Sequence, residues 1–270
     1  MPARAASTTN RTAAAPFAER LPTPALIGAA SRVWTRRSGA SPLSPPARVL
    51  PDGCVDLLVQ LAPAAPDGVL ALDVVGPMTT AIVVRPTAGV ATIGVRMRSG
   101  HALALLGRPA SELADLRVPL AALHPDAARL RDLVAAAAGA GADDALAVAR
   151  ALEAWLAGRV QEAAAPPPDV RAAVREVVRS GGRRRVDALA ASLGVTRQHL
   201  ARQFARHVGV APKTLLRIAR LRRAMRLARL AGPPRWSAIA HDAGYADQAH
   251  LVDDFAELAG TTPARWWAEG

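Results

Sequence analysis

Residues 189–212 read LAASLGVTRQHLARQFARHVGVAP, and a related stretch follows at residues 239–263, which read IAHDAGYADQAHLVDDFAELAGTTP. In both stretches a Leu precedes a Phe by four residues, a Gly follows that Phe after five, and a Pro follows the Gly after three. Residues four apart share one face of a helix, so the pattern predicts two helices that each anchor an apolar face in a core. The anchors are Leu200 and Phe204 in the first stretch and Leu251 and Phe255 in the second.

Each stretch has the pattern of a helix-turn-helix unit. In the first, Asp187 is expected to cap a short helix, Gly194 to give the tight turn its backbone freedom, and Thr196 to cap a second helix over residues 197–207. That second helix carries Arg and Gln opposite its apolar face. Arg recognises guanine and Gln recognises adenine in the major groove, so this face suits the reading of bases. An ordinary solvated amphipathic helix is the alternative, and duplication within a basic region argues against it.

One long helix is expected between the two units, from Pro212 to about residue 230. A Pro is tolerated in the first helical turn because its missing N–H would have no partner there, and the Gly-Pro-Pro at 232–234 is expected to end the helix. A helix of about 19 residues is roughly 28 Å long, whereas one turn of B-DNA is about 34 Å. The two recognition helices are therefore expected to enter successive major grooves on one face of DNA.

Positive charge is concentrated in this duplicated region. The 270-residue chain has a formal net charge of +12, and residues 171–235 hold 17 basic side chains against two acidic ones. Residues 1–169 are nearly balanced, with 16 basic and 14 acidic side chains. A bias in composition alone would affect both halves equally, so the asymmetry indicates a polyanion as the partner of the C-terminal part.

The basic region also carries a set of residues whose identities and spacings are typical of one protein family. They are Leu189-Ala190, Leu193-Gly194-Val195-Thr196, His199-Leu200, Arg202, Phe204, Gly209 and Pro212, then Arg220-Leu221 and Ala224, then Ile239-Ala240, Ala243-Gly244-Tyr245, Asp247-Gln248, His250-Leu251, Phe255, Gly260-Thr261-Thr262-Pro263 and Trp266. With them, residues of about 170–268 resemble the DNA-binding domain of the AraC/XylS family of bacterial transcription regulators. The resemblance implies two helix-turn-helix units, joined by one helix, that bind promoter DNA.

Nine residues are the candidate DNA contacts. Most lie on the two recognition helices, where they are expected to reach the groove; Arg206 is expected on phosphate. Thr196 and Asp247 are expected to act mainly as helix caps, and the Thr196 hydroxyl is also expected to be able to reach phosphate. The candidates are Thr196, Arg197, Gln198, His199, Arg202, Arg206, Asp247, Gln248 and His250.

The second recognition helix departs from the family pattern. The family usually has a basic residue at the position of Asp253, and often Lys or Arg near Ala256 and Glu257, so the outer face of this helix is expected to be neutral to acidic. Phosphates repel carboxylates. The first unit is therefore expected to supply most of the affinity for DNA.

Residues 26–98 have a strand-like pattern, and two short and then two longer helical segments follow. Apolar runs at 26–34, 55–61, 69–75, 82–84 and 91–97 are separated by turn residues, which predicts a β-sandwich or a small barrel. Two segments, 50–57 and 94–107, loosely resemble sensor-like domains fused to some regulators of this family. That resemblance implies a cupin-like fold whose ligand is unassigned.

The predicted fold is an α+β N-terminal domain, cupin-like or a small β-barrel or sandwich with helices, followed by an all-α C-terminal domain with two helix-turn-helix units. We expect a disordered tail at 1–24, a sensor or dimerisation domain at 25–160, a Pro-rich linker at 161–169 and the DNA-binding domain at 170–268. A low-complexity Ala/Gly stretch at 135–142 is expected to be a flexible joint.

Other chemistry finds little support in the sequence. No nucleotide-binding glycine motif and no Cys- or His-rich metal motif is present, so no enzyme activity, cofactor or metal is expected. Cys54 is the single Cys, which excludes an internal disulfide, and it is expected to be buried and inert. Asp52 and Asp56 are not expected to form a catalytic carboxylate pair.

The sequence thus predicts a cytoplasmic, sequence-specific transcription regulator, with no membrane association. Its expected partner is double-stranded promoter DNA, with RNA polymerase and a small-molecule effector as further candidates and a monomer or homodimer as the expected state. Two alternatives stay open: an enzyme that uses its C-terminal part to reach DNA, and a non-specific architectural or RNA-binding protein.

Overall fold

The N-terminal half of the chain is built on an antiparallel sheet. The computed structural model describes residues 17–38, 46–139 and 144–269. Six strands pair in the order β1-β2-β7-β4-β5-β8, and β3 pairs with β6 in a separate two-stranded ribbon. The strands are β1 (Phe17–Arg20), β2 (Ala30–Arg37), β3 (Ala47–Val49), β4 (Asp56–Leu61), β5 (Val69–Val75), β6 (Ile82–Val84), β7 (Ala91–Met97) and β8 (Arg117–Pro119).

Helices make up most of the remainder. Three short 3₁₀ turns lie at Pro24–Leu26, Ala110–Leu113 and Leu120–Ala122. None of the helices in the described ranges is long and apolar enough to cross a lipid bilayer. The α-helices are α1 (Ala102–Leu106), α2 (Ala127–Ala138), α3 (Asp144–Glu162), α4 (Pro168–Ser180), α5 (Val186–Ser192), α6 (Arg197–His207), α7 (Pro212–Ala231), α8 (Trp236–Ala243), α9 (Gln248–Ala259) and α10 (Pro263–Ala268).

One face of the six-stranded sheet is buried beneath α2 and α3. Ile93, Val95 and Met97 of β7 are fully buried, as expected where successive side chains of a strand point to opposite faces. Gly94 lies between two of them, and a Cβ atom there would stand 2.3 Å from the Trp34 ring, so only Gly lets the indole cross this strand. The α+β and all-α classes that the sequence predicts are confirmed. Strands β1 and β8 are the sheet edges, so no barrel closes within the described residues.

Three expectations from the sequence need correction, and two of them fall partly on residues outside the described ranges. Residues 17–20, expected in a disordered tail, form β1, because their backbone pairs with β2 across four residue pairs; residues 1–16 lie outside the described residues. The helix α2 continues to Ala138 and so covers the first half of the expected Ala/Gly joint; residues 140–143 again lie outside the described residues. Pro168, expected in an extended linker, is the first residue of α4, where a Pro costs no hydrogen bond.

The C-terminal half contains two apolar cores that share α7. Leu215 and Leu216 pack with α4, α5 and α6 in the first core. Ile218 and residues beyond it on α7 pack with α8, α9 and α10 in the second core. The connector is therefore part of both cores rather than a spacer between them.

The N-terminal domain contacts both halves of this C-terminal region. Pro77 and Ala110 lie against Gly209, just after α6, where an added Cβ would stand 2.5 Å from the Pro ring. At the other unit, Arg48 of β3 donates from Nη1 to the Ala259 carbonyl at 2.9 Å, and Ala81 N donates to Leu258 O at 2.8 Å. The β3–β6 ribbon thus lies at the C-terminal end of α9.

One buried ion pair ties α7 to α9. Arg217 donates to Asp254 Oδ1 from Nε at 2.9 Å and from Nη2 at 2.7 Å, and it also donates to the exposed Glu257. The Asp254 residue is only 1% exposed. The hydrogen bonds that Arg217 donates to Glu257 and Asp254 raise its pKa against the opposing effect of its partial burial. The guanidinium therefore stays charged and is held inside the protein.

We expect Arg217→Met to lower the free energy of unfolding by about 3 kcal/mol, because it leaves the buried Asp254 carboxylate without its cation. The double variant Arg217→Met/Asp254→Leu should recover most of that loss, since both charges are then gone. Chemical denaturation followed by circular dichroism measures both effects. Arg222→Met, at an exposed position of the same helix, is the matched control. An equal loss in that control would contradict the assignment.

Candidate nucleic-acid interface

The first helix-turn-helix unit consists of α5, the turn at Gly194 and α6. Gly194 has a φ of +67°, which favours Gly. The Thr196 hydroxyl accepts a hydrogen bond from His199 N at 3.1 Å and so caps α6 as predicted. Leu200 and Phe204 are fully buried, which confirms the anchors expected from their spacing.

Asp187 does not cap α5, contrary to the sequence expectation. The helix begins at Val186, before Asp187, and Arg185 is at the capping position. The Asp187 carboxylate lies instead 3.0 Å from Arg197 Nη1, and both side chains are largely exposed. Arg197, a candidate groove contact, therefore has a carboxylate partner that DNA would have to displace.

The outer face of α6 carries the most accessible positive charge of this unit. Gln198, Arg202 and Arg206 are all exposed and lie on the side of α6 opposite its apolar anchors. Within the described part of the chain, neither Arg202 nor Arg206 has an ion-pair partner. These two guanidinium groups can meet phosphate or a base edge without breaking a contact inside the protein.

His199 is held by the protein. Its Nε2 atom lies 2.6 Å from Asp169 Oδ2, at the start of α4. Burial opposes ionisation of Asp169, but the hydrogen bonds from His199 and from Val170 N, with the attraction of His199, together outweigh it, so the pKa of this carboxyl is lowered. The structure thus places His199 as a link between α6 and α4, whereas the sequence placed it among the groove contacts.

The second unit repeats this geometry in α8, the turn at Gly244 and α9. Asp247 accepts a hydrogen bond from His250 N at 2.8 Å and caps α9, as expected from the sequence. Gln248 is exposed at the first position of α9. The half-buried His250 ring packs edge-on against Tyr245, with ring centroids 5.1 Å apart. Gln248 is consequently more accessible than His250, the other candidate groove contact on α9.

The acidic character expected for the outer face of α9 is partly wrong. Asp254 points into the protein and binds Arg217, which sequence spacing alone did not reveal. Glu257 is exposed but also binds Arg217, and the pKa of Glu257 is lowered by that hydrogen bond. Asp253 is the exposed carboxylate of this face without such a partner among the described residues.

Several arginines of α7 have structural roles that the sequence did not predict. Arg220 donates to Gly182 O from Nη2 at 3.1 Å and stacks over Tyr245, and Arg223 donates to Asp242 O at 3.1 Å. Together with Arg217 they brace the connector against its neighbours. Arg222 and Arg226 are exposed. Only part of the positive charge of α7 is therefore accessible to an anion.

The N-terminal Asp-Gly-Cys-Val-Asp motif at 52–56 forms a local network. Arg96 Nη1 lies 3.0 Å from Asp52 Oδ2, and Arg96 Nε donates to Asp56 Oδ1 at 3.1 Å. Burial, followed by the charge of Asp52, raises the pKa of the Cys54 thiol, which keeps it protonated and unreactive. Both carboxylates hold Arg96, so this cluster is an ion-pair network rather than an acid–base pair. No group of three or more metal-binding side chains occurs in the ranges that the structure covers.

We expect Asp247→Asn to preserve the stability of the protein, because Asn also caps helices, whereas Asp247→Ala should cost about 1 kcal/mol. If Asp247 acts mainly as a cap, the Asn variant should bind DNA at least as tightly as the wild type, since a negative charge near phosphate is gone. Chemical denaturation and a gel-shift titration provide the two readouts. Weaker binding by a fully stable Asn variant would instead indicate a direct contact between the carboxylate and DNA.

Comparison with known proteins supports the C-terminal assignment. A family model described as a helix-turn-helix domain matches residues 189–268, and one described as a domain of unknown function (DUF6597) matches residues 18–119. No curated protein matches the chain.

Solved structures of ToxT from Vibrio cholerae are similar over most of their length. An apo variant of ToxT from strain SCE256 has a TM-score of 0.43 and 11% identity, covering 87% of this chain and 96% of that one. ToxT from Vibrio cholerae O395 has a TM-score of 0.40 and 13% identity, covering 93% and 96%. Wild-type ToxT from strain SCE256 with a bound unsaturated fatty acid has a TM-score of 0.41 and 12% identity, covering 87% and 92%.

The family match and the paired helix-turn-helix geometry agree with the motif set of residues 189–266. Residues 189–268 form an AraC-type helix-turn-helix domain, and the chain is a DNA-binding transcription regulator.

Proposed function

We propose that this regulator reads promoter DNA with both helix-turn-helix units, placing α6 and α9 in successive major grooves. The observation that carries the proposal is the single helix α7, which runs unbroken from Pro212 to Ala231 and contributes to the cores of both units. Its 20 residues span about 30 Å, close to the roughly 34 Å of one DNA turn. A rigid connector of that length would hold two reading helices on one face of a duplex.

The two units are proposed to contribute unequally. The face of α6 offers Gln198, Arg202 and Arg206 without internal ion pairs among the described residues, whereas α9 offers Gln248 beside the exposed Asp253. Arg hydrogen-bonds guanine in a bidentate manner, and Gln pairs similarly with adenine. We therefore assign base reading chiefly to α6 and an auxiliary role to α9.

The remaining candidate contacts are ranked by their internal partners. Arg197 would reach DNA after release from Asp187, and the Thr196 hydroxyl is positioned at the start of α6, where backbone N–H groups attract phosphate. His199 and His250 already pack against Asp169 and Tyr245. We assign them to the support of the two recognition helices and not to the reading of bases.

The N-terminal domain is proposed to sense an effector or to mediate oligomerisation. It contacts both reading units, through Pro77 at Gly209 and through Arg48 at the end of α9. A conformational change in this domain would therefore alter the contacts of both units. The chain would act in the cytoplasm on promoter DNA, as a monomer or homodimer and with RNA polymerase as a further partner. It would act by binding rather than by catalysis, consistent with the helix-turn-helix family match.

Arg202→Ala should weaken binding to the operator by about tenfold or more, because a bidentate contact to a base is worth roughly 1–3 kcal/mol. Gln248→Ala should cost clearly less. A gel-shift titration with a duplex from the upstream region of the gene measures both. Arg150→Ala, an exposed Arg on α3 far along the chain from both units, is the control for loss of charge alone. Equal losses for Arg202→Ala and Gln248→Ala would overturn the unequal assignment.

Salt dependence measures the phosphate contacts, and competition binding at constant salt separates sequence-specific reading from attraction by charge alone. With about six phosphate contacts, the logarithm of the affinity should fall with the logarithm of salt concentration at a slope near −5. At constant salt the operator should bind about a thousandfold more tightly than random duplex DNA. Competition binding gives this ratio. A ratio near one would favour the architectural or RNA-binding alternative and contradict the proposed regulator function.

A further inference from the structure

A cleft of about 910 Å³ lies where the N-terminal domain, the segment after α3 and helix α4 meet. Its walls come from residues 25–29 and 98–101, from residues 160–166, and from residues 171–179 of α4. This volume lies within the range of small-molecule sites. Because the DNA-binding part and the N-terminal domain each supply a wall, an occupant would touch both.

The cleft exposes apolar side chains that the cores do not use. Val178 of α4 is 74% exposed and Ile27 is 50% exposed, and both line the cleft. Val160 and Val174 extend the same apolar surface. Large apolar groups left together at a concave surface are typical of binding sites.

The charged groups around the cleft are all positive. Arg98, Arg171, Arg175 and Arg179 line it, and no carboxylate stands among its lining residues. Arg179 is neutralised by Glu176, at 2.5 Å, and Arg98 donates to Ile27 O at 3.2 Å. Within the described residues, Arg171 and Arg175 have no side-chain partner. The cleft therefore offers guanidinium groups to an anion.

His101 adds a buried polar atom without a partner. It lines the cleft, and its Nδ1 atom is buried with no hydrogen bond among the described residues. Burial, followed by the charges of Arg98 and Arg171, lowers the pKa of His101. The ring is thus kept neutral in electropositive surroundings, and a buried polar atom of this kind is stabilised when a ligand supplies the missing hydrogen bond.

We propose that this cleft binds a small organic anion with an apolar body, its carboxylate or sulfonate between Arg98 and Arg171 and its body against Ile27, Val174 and Val178. Guanidinium groups form strong charge-assisted hydrogen bonds to such anions. The regulatory meaning of the site rests on the proposed function: an occupant would bind α4, which holds the recognition helix α6 through Asp169 and His199. Binding itself does not depend on DNA.

Two fluorescent probes of the same shape test the assignment on the full chain. Anilinonaphthalene sulfonate carries an anionic group, and N-phenylnaphthylamine has the same aromatic body without it. We expect the sulfonate to bind at least about tenfold more tightly than the neutral amine, the effect of roughly one charge-assisted hydrogen bond. Equal affinities for the two probes would overturn the proposal.

Variants locate the site. Arg171→Ala should weaken binding of the sulfonate probe by about tenfold and leave the neutral probe unaffected, whereas Val178→Ser should weaken both. Arg150→Ala, outside the cleft, is the matched control and should change neither. Unchanged sulfonate affinity in Arg171→Ala would overturn the site.

The same variants in a gel shift without probe separate this inference from the proposed function. Arg171→Ala should bind operator DNA as the wild type does; a loss of DNA affinity equal to the loss of probe affinity would make the arginine a phosphate contact and overturn the ligand site. If the wild type binds the sulfonate but does not discriminate operator from random DNA, the proposed reading of DNA fails and the ligand site stands.

Discussion

The C-terminal region depends on one constraint: a single helix must fill two apolar cores at once. Leu215 and Leu216 of α7 belong to the core of the first unit, and Ile218, Leu221 and Met225 are among its residues in the core of the second. Protein interiors are close-packed, so neither unit can turn about α7 without loss of contacts. A flexible linker would leave two independent binding modules; here the separation of α6 and α9 is a property of the fold.

The same constraint decides which arginines can meet DNA. Buried charges require partners: Arg217 pairs with the Asp254 carboxylate, and Arg220 and Arg223 donate to the backbone carbonyls of Gly182 and Asp242 at the sides of α7. The acidic residues of α9 are in part the counterparts of this basic connector. The net charge of this region therefore overstates the positive charge that is accessible to DNA. On α6, the arginines without an ion-pair partner among the described residues are Arg202 and Arg206.

The local sequence pattern was enough to predict the recognition helices and most of the strands, because helix caps, turn residues and apolar spacing all lie within a few residues of the element they define. Thr196 caps the helix that begins beside it, and Leu200 and Phe204 repeat at helical spacing. The pairs His199–Asp169 and Arg217–Asp254 join residues 30 and 37 positions apart, so they depend on packing that no local pattern carries. Strand β1 escaped prediction for the same reason: it is defined by pairing with β2 and not by an apolar run of its own.

The contact between the β3–β6 ribbon and α9 shows how the N-terminal domain reaches the reading surface. The last carbonyls of a helix have no partner within it. At the end of α9, Leu258 O accepts from Ala81 N and Ala259 O accepts from Arg48, so two of these partners come from the N-terminal domain. Separation of the ribbon would leave those carbonyls to solvent and remove the support of Arg48 for this end of α9. The position of the second recognition helix is consequently linked to that of the N-terminal domain, and the first is linked to it through the contact of Gly209 with Pro77 and Ala110.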